Sequence, residues 1–206
     1  SYLDGLECEK VLVVPGNHDS RNVGYLHFQE LFGPLFRTEE CHGLLVMGVD
    51  STEPDLDAGK IGRERYGWIV DNLKTVEDFK VFALHHHLIP VPGTGRERNI
   101  VYDAGDILEL LVYSGVDLVL TGHKHVPYVW RLEDMYIVNA GTISTLRLRG
   151  YTKPCYNVIE IREDLVRIFR KYPFGDRDVI AQFGLGVSQV QRELSGVIRE
   201  ITGTDN

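Results

Sequence analysis

Leu118-Val119-Leu120-Thr121-Gly122-His123-Lys124-His125 is the stretch on which the fold turns. A short apolar run, the length of one buried strand, ends in a glycine and two imidazoles at i and i+2. The same order occurs twice upstream. Val81-Phe82-Ala83-Leu84 leads into His85-His86-His87, and Val11-Leu12-Val13-Val14 leads through Pro15 into Gly16-Asn17-His18-Asp19. Brief apolar runs of this kind are how strands buried on both faces of a largely parallel sheet read. Open α/β sheets collect their ligands beyond the carboxyl ends of such strands. Six of the eight histidines lie in these three islands, and only His27 and His42 lie elsewhere. That clustering points to metal-assisted chemistry.

The intervening segments complete an alternating pattern. Strands are expected over Lys10–Val14, Leu44–Val49, Phe79–Leu84 and Asp117–Leu120. Helical spacing covers Val23–Leu35, Arg63–Leu73 and Asp106–Tyr113, with Asp106 as the N-cap. Downstream, Tyr128–Arg131 and Tyr136–Asn139 read as a hairpin about Glu133-Asp134. Ile143–Leu148, Tyr156–Ile161 and Leu165–Arg170 read as further strands. Alternating strands and helices followed by a run of strands predict a layered α/β sandwich. Residues 1–175 are expected to form this domain, and 176–206 a C-terminal extension. Within the extension, Val187–Ile201 has helical spacing. Such a helix packs on the core or joins two copies into a homo-oligomer. Leu88–Tyr102 is a long Pro- and Gly-containing loop beside the His85 island, with Arg96 and Arg98 as phosphate partners in reach.

Composition narrows the class. The 206 residues are 43% hydrophobic and 25% charged, enough for one full core. A formal net charge of −8 disfavours broad nucleic-acid binding. Three widely spaced cysteines, Cys8, Cys41 and Cys155, fit free thiols in a reducing compartment. No apolar stretch reaches the length of a membrane span, and no signal peptide opens the chain. A cytoplasmic protein without membrane association is the expectation.

The islands hold distinct donor types. Asn17 offers a hard amide oxygen, and His18 is an imidazole with the Asp19 carboxylate beside it. His123 and His125 both reach inward if Gly122 supplies the turn. Successive residues of an extended chain face opposite ways, so His85, His86 and His87 cannot all meet one metal.

Gly-Asn-His-Asp, then histidines after a strand, then Gly-His-x-His resembles the downstream half of the calcineurin-like metallophosphoesterase signature. Leu88-Ile89-Pro90-Val91-Pro92 and Asn139-Ala140-Gly141-Thr142 look most like its cyclic-nucleotide phosphodiesterase branch. The resemblance implies a four-layer α/β/β/α sandwich and a phosphoester hydrolase, a phosphodiesterase or phosphatase acting on a small phosphoester substrate. It further implies a dinuclear centre of manganese, iron, zinc or cobalt with a bridging hydroxide. By the same resemblance Asn17, His86, His123 and His125 are metal ligands, with His85 the alternative to His86. Asn17 and His18 contact the phosphate, His18 protonates the leaving oxygen, and Asp19 supports His18.

The signature also has an upstream half, Asp-x-His and Gly-Asp-x-x-Asp, which carries most carboxylate ligands. The chain contains no Asp-x-His. Gly105-Asp106 reads as a helix cap and Gly175-Asp176-Arg177-Asp178 as a loop. The expectation is therefore an N-terminally truncated domain, the downstream part of a longer protein. Alone it would hold at most one weakly bound metal and turn over little. The competing reading is a catalytically inactive module of the same fold acting in protein binding.

Overall fold

The computed structural model describes residues 5–74, 79–95, 100–145, 148, 152–162 and 164–185. Among the described residues, two sheets and three α-helices order the chain. α1 (Gly24–Phe32), β1 (Phe36–Cys41) and β2 (Leu44–Val49) come first, then a 3₁₀ turn (Arg63–Arg65) and α2 (Tyr66–Lys74). β3 (Phe79–Ala83), α3 (Ala104–Tyr113), β4 (Leu118–Thr121), β5 (Tyr128–Leu132) and β6 (Met135–Asn139) follow. β7 (Tyr156–Ile161), β8 (Leu165–Lys171) and β9 (Arg177–Gly184) end the described chain.

The larger sheet has the order β1-β2-β3-β4-β6-β5. β2, β3, β4 and β6 run parallel, while β1 and β5 are antiparallel edges. Alternation along each strand sends side chains to opposite faces. Leu45, Met47, Val49, Phe82, Val119 and Ile137 face Ile69 and Leu73 of α2 and Ile107 and Leu111 of α3. Phe79, Val81, Leu118 and Val138 face Val166 and Ile168 of β8, in the three-stranded sheet β7-β8-β9. The described residues thus form a helical layer, a six-stranded sheet and a three-stranded sheet, an α/β fold of the sandwich type expected. Burial on both faces is why the inner strands read as unbroken apolar runs.

Several local expectations change. The Lys10–Val14 run takes no part in either sheet among the described residues, although Leu12 and Val14 lie over Gly48 of β2. A strand needs a neighbour to take its N–H and C=O groups, and apolarity alone does not supply one. β1 does not announce itself in the sequence because half of Phe36-Arg37-Thr38-Glu39-Glu40-Cys41 is charged, as suits a half-exposed edge. It turns into β2 through His42 (φ 50°) and Gly43 (φ 78°), the two left-handed positions of a tight hairpin. α1 stops at Phe32, earlier than expected, because Gly33 takes φ 88°.

α3 starts two residues before Asp106. Asp103 stands at its cap position, and its carboxylate accepts the N–H groups of Ile61 (3.0 Å) and Gly62 (2.7 Å) and the hydroxyl of Tyr66 (2.9 Å). Ile143–Thr145 lie outside any strand, and two of the remaining residues of that expected strand are outside the described residues. Arg177-Asp178 opens β9 rather than a loop, and β9 pairs with β8 along its length. The boundary expected at 175/176 therefore cuts into the small sheet. The helix expected over Val187–Ile201, with Arg96 and Arg98, lies outside the described residues. No helix among the described residues is long and apolar enough to cross a membrane.

Candidate metal centre

The parallel strands β3 and β4 end side by side, and their pairing continues one step further. Leu84 N–H donates to Leu120 O, and Gly122 N–H donates to His85 O, both at 3.0 Å. His85 and His123 are thereby fixed at one rim of the sheet. Beyond Gly122 the chain folds tightly: Lys124 N–H reaches Gly122 O at 2.9 Å, with His123 between them at φ 68°. That is the geometry of the rare, strained γ-turn. Left-handed backbone at a non-glycine residue costs of order 1–3 kcal/mol and persists where its surroundings enforce it. His125 also takes a positive φ, 60°.

Asn17 arrives from the third island. Gly16 N–H donates to Asp19 Oδ2 at 2.8 Å and Asp19 N–H to Gly16 O at 2.9 Å, closing a turn that buries Asn17. The turn packs closely on the site, since a Cβ at Gly16 would stand 3.0 Å from the His85 ring. His85 Nε2 then lies 3.1 Å from Asn17 Oδ1 and 3.0 Å from His123 Nδ1. A neutral imidazole nitrogen carries one proton or one lone pair, so it cannot satisfy both contacts by donating. A cation held by His85 Nε2 could draw on both neighbouring atoms, as a single proton cannot. Two cis ligands of an octahedron with bonds of about 2.1 Å stand about 3.0 Å apart, which matches the spacing.

His85, His86 and His123 each bring a ring nitrogen within 4.8 Å of the others. His86 differs in how its nitrogens are used. Its Nδ1 lies 3.0 Å from the Ser51 hydroxyl, and Nε2 lies 3.2 Å from the Asp57 carbonyl oxygen, to which its N–H donates. Ser51 Oγ also accepts the His86 backbone N–H at 3.1 Å. Gly59 packs on the ring so closely that a Cβ would come within 2.5 Å of Nδ1. Both nitrogens of His86 thus have partners, whereas His85 Nε2 faces two at once; both alternatives, His86 and His85, stand in the group. His87 Nε2 donates to Gly122 O at 2.8 Å.

Electrostatics keep these rings neutral. Burial first, then the adjacent histidines, pushes His85 down to about 3 and His123 down to about 2. Burial pushes His86 down to about 4 and also lowers His87. Neutral imidazoles are the form that binds metal. His123 Nε2 and His87 Nδ1 are buried without a hydrogen-bond partner among the described residues. Neither is an atom of the His85 contact point, where His123 presents Nδ1. The donor set fits a divalent cation of the N/O-binding type.

The other expected residues lie around this point. His18 is exposed on the Asn17 turn, and both His18 and His125 are close enough to depress the ionisation of His85. Asp19 serves the turn, and no hydrogen bond joins it to His18 among the described residues. Asp57 was not foreseen. Its carboxylate accepts Asn17 Nδ2 at 2.9 Å and Arg21 Nη2 at 2.6 Å. It sits in a Gly- and Asp-rich loop with no recognisable motif, so the sequence offered no signal for it.

Comparison with known proteins places this rim in context. The family model for calcineurin-like phosphoesterases matches residues 2–127. A cAMP/cGMP dual specificity phosphodiesterase of Mycobacterium tuberculosis is 25% identical over 94% of this chain and 65% of its own length. The purple acid phosphatase PPD1 of yellow lupin superposes with a TM-score of 0.54 at 14% identity, over 74% of this chain and 32% of its own. GAP50, the anchor in the inner membrane complex of Plasmodium, gives 0.52 at 18% identity, over 73% and 52%. The chain spans between 26% and 71% of the length of the curated relatives it matches.

Proposed function

The chain belongs to the calcineurin-like phosphoesterase family, and from that premise we propose that it carries part of the active site of a metal-dependent phosphodiesterase. The observation that carries this reading is the single contact point of His85 Nε2 with Asn17 Oδ1 and His123 Nδ1. These three residues would hold one divalent ion, with His125 at the neighbouring position and His86 as their buried support. Manganese, iron, zinc or cobalt suits such donors. When bound, a pair of such ions supplies charge neutralisation at the phosphoryl oxygens and a lower pKa for an attacking water.

The rest of the chemistry falls to this chain's own groups. His18 is exposed beside the buried donors and is suited to hand a proton to the departing oxygen. Asp19 holds the Gly16 turn, which aims both Asn17 and His18. Burial keeps His85 and His123 deprotonated, so neither competes with His18 as acid. The substrate class is a small phosphoester, and the M. tuberculosis relative makes a cyclic nucleotide the first candidate. All three donors at the point are neutral, so a second closely spaced ion would need carboxylates from elsewhere.

The test is calorimetric titration of the metal-free chain with Mn(II), in parallel with hydrolysis of bis(p-nitrophenyl) phosphate. One Mn(II) site is expected that is lost in both His85→Ala and His123→Ala. Wild-type Mn(II) affinity in either variant would overturn the assignment.

A further inference from the structure

Asn17 is 5% exposed, and its amide has two ends of opposite use. The oxygen can bind a cation or accept a hydrogen bond, and the NH₂ group can do neither. The two orientations differ by a half-turn of the terminal torsion and have nearly the same shape. Packing alone therefore does not select between them. Something must hold the NH₂ group on the far side if Oδ1 is to face His85.

We infer that Asp57 is a positioning residue that sets this orientation: its carboxylate takes the Asn17 NH₂ group, which turns Oδ1 toward His85 and His123. The inference rests on the ligand set proposed above. Asp57 Oδ1 accepts Asn17 Nδ2 at 2.9 Å. In the flipped amide, the Asn17 oxygen would face the Asp57 carboxylate, oxygen against oxygen, with no proton between them. Its NH₂ group would meanwhile point at His85 Nε2. The carboxylate is itself anchored, because Arg21 Nη2 donates to the same Oδ1 at 2.6 Å. The backbone of the same residue reaches the site as well, since the Asp57 carbonyl accepts His86 Nε2–H at 3.2 Å. One residue, forty positions from Asn17 in the chain, thus orients a proposed ligand with its side chain and that ligand's buried neighbour with its main chain.

Groups that orient metal ligands typically change metal affinity 10- to 100-fold when removed. Metal-free Asp57→Ala is therefore expected to bind Mn(II) about tenfold more weakly than wild type. Asp57→Asn keeps an oxygen that can accept from Asn17 and is expected to recover binding to within about threefold. Asp57→Leu, which keeps bulk without an acceptor, should match Asp57→Ala. The ¹⁵N-labelled chain gives a readout free of metal and turnover. The Asn17 side-chain NH₂ pair should be resolved and slow to exchange in wild type and Asp57→Asn, and shifted and fast in Asp57→Ala. Unchanged Mn(II) affinity in both Asp57→Ala and Asp57→Leu would overturn the inference, as would an unmoved Asn17 NH₂ pair. Asn17→Ala separates the two levels. If it too binds Mn(II) like wild type, the ligand set fails. If it binds weakly while the Asp57 variants bind normally, only the role of Asp57 fails.

Discussion

Two groups of metal-type side chains stand among the described residues, and they differ in almost every physical respect. His85, His86 and His123 gather at the carboxyl ends of β3 and β4, mostly withdrawn from solvent. Glu9, Cys41 and His42 gather at the β1–β2 hairpin, where the Glu9 and His42 side chains are 65% and 82% exposed. Proximity of ligand atoms is the same in both. At the hairpin, Glu9 and His42 already pair with each other at 3.0 Å, and Lys10 brings a positive charge toward them. At the rim, His85 Nε2 touches Asn17 Oδ1 and His123 Nδ1 at once, and His123 is bent into a left-handed turn. Ligand atoms that meet by chance on a surface satisfy each other or water. Ligand atoms built for a cation are left unsatisfied without it, and the fold carries the cost.

The sharpest separation is by alanine. His123→Ala and His85→Ala are each expected to weaken Mn(II) binding more than about 100-fold, beyond the usual effect of an orienting group. His42→Ala is expected to stay within about twofold. Isothermal titration of the three variants compares the two clusters directly, and equal losses would erase the distinction.

Packing gives a second contrast. Gly59→Ala would push a methyl group to 2.5 Å from His86 Nδ1 and 2.6 Å from the Ser51 carbonyl oxygen. Overpacking of this kind costs about 1–3 kcal/mol, measurable as a lower urea midpoint. Gly67→Ala in α2 meets nothing within 4 Å and should stabilise by up to about 1 kcal/mol.

Proton linkage gives the third. His86 is fully buried with its pKa held down to about 4, against 6.5 for the free side chain. Below pH 6.5 the unfolded chain takes up a proton that the folded chain refuses until about pH 4. The unfolded state then binds more protons, so stability is fully present above 6.5 and falls with pH across that window. The contribution is at most about 1.4 kcal/mol per pH unit for this one group. Urea unfolding of the metal-free chain at pH 7 and pH 5 should show it, and equal midpoints would count against a neutral, buried His86.

The large parallel sheet was legible because burial on both faces writes itself as uninterrupted apolar runs. β2, β3, β4 and β6 lie within a residue of where those runs suggest. β1 and β9 were not legible, because an edge strand with one solvated side is rich in charge and resembles a loop. The Lys10–Val14 run shows the converse, an apolar segment that finds no ladder among the described residues. The histidine islands announced a site but not its wiring. Whether His85 or His86 faces Asn17 depends on where the strand's pleat ends; His85 lies against Asn17, and His86 against Ser51 and Asp57. Asp57 was invisible for a related reason. Its partner is far away in sequence, and an aspartate in a polar loop is unremarkable until the fold sets Asn17 against it.

The central claim is that Asn17, His85 and His123 share one cation. Crystals of the chain soaked in Mn(II) and measured for anomalous scattering test it most directly. The account predicts one strong peak within about 2.3 Å of Asn17 Oδ1, His85 Nε2 and His123 Nδ1. A peak at the Glu9–Cys41–His42 hairpin, with none at that point, would contradict it.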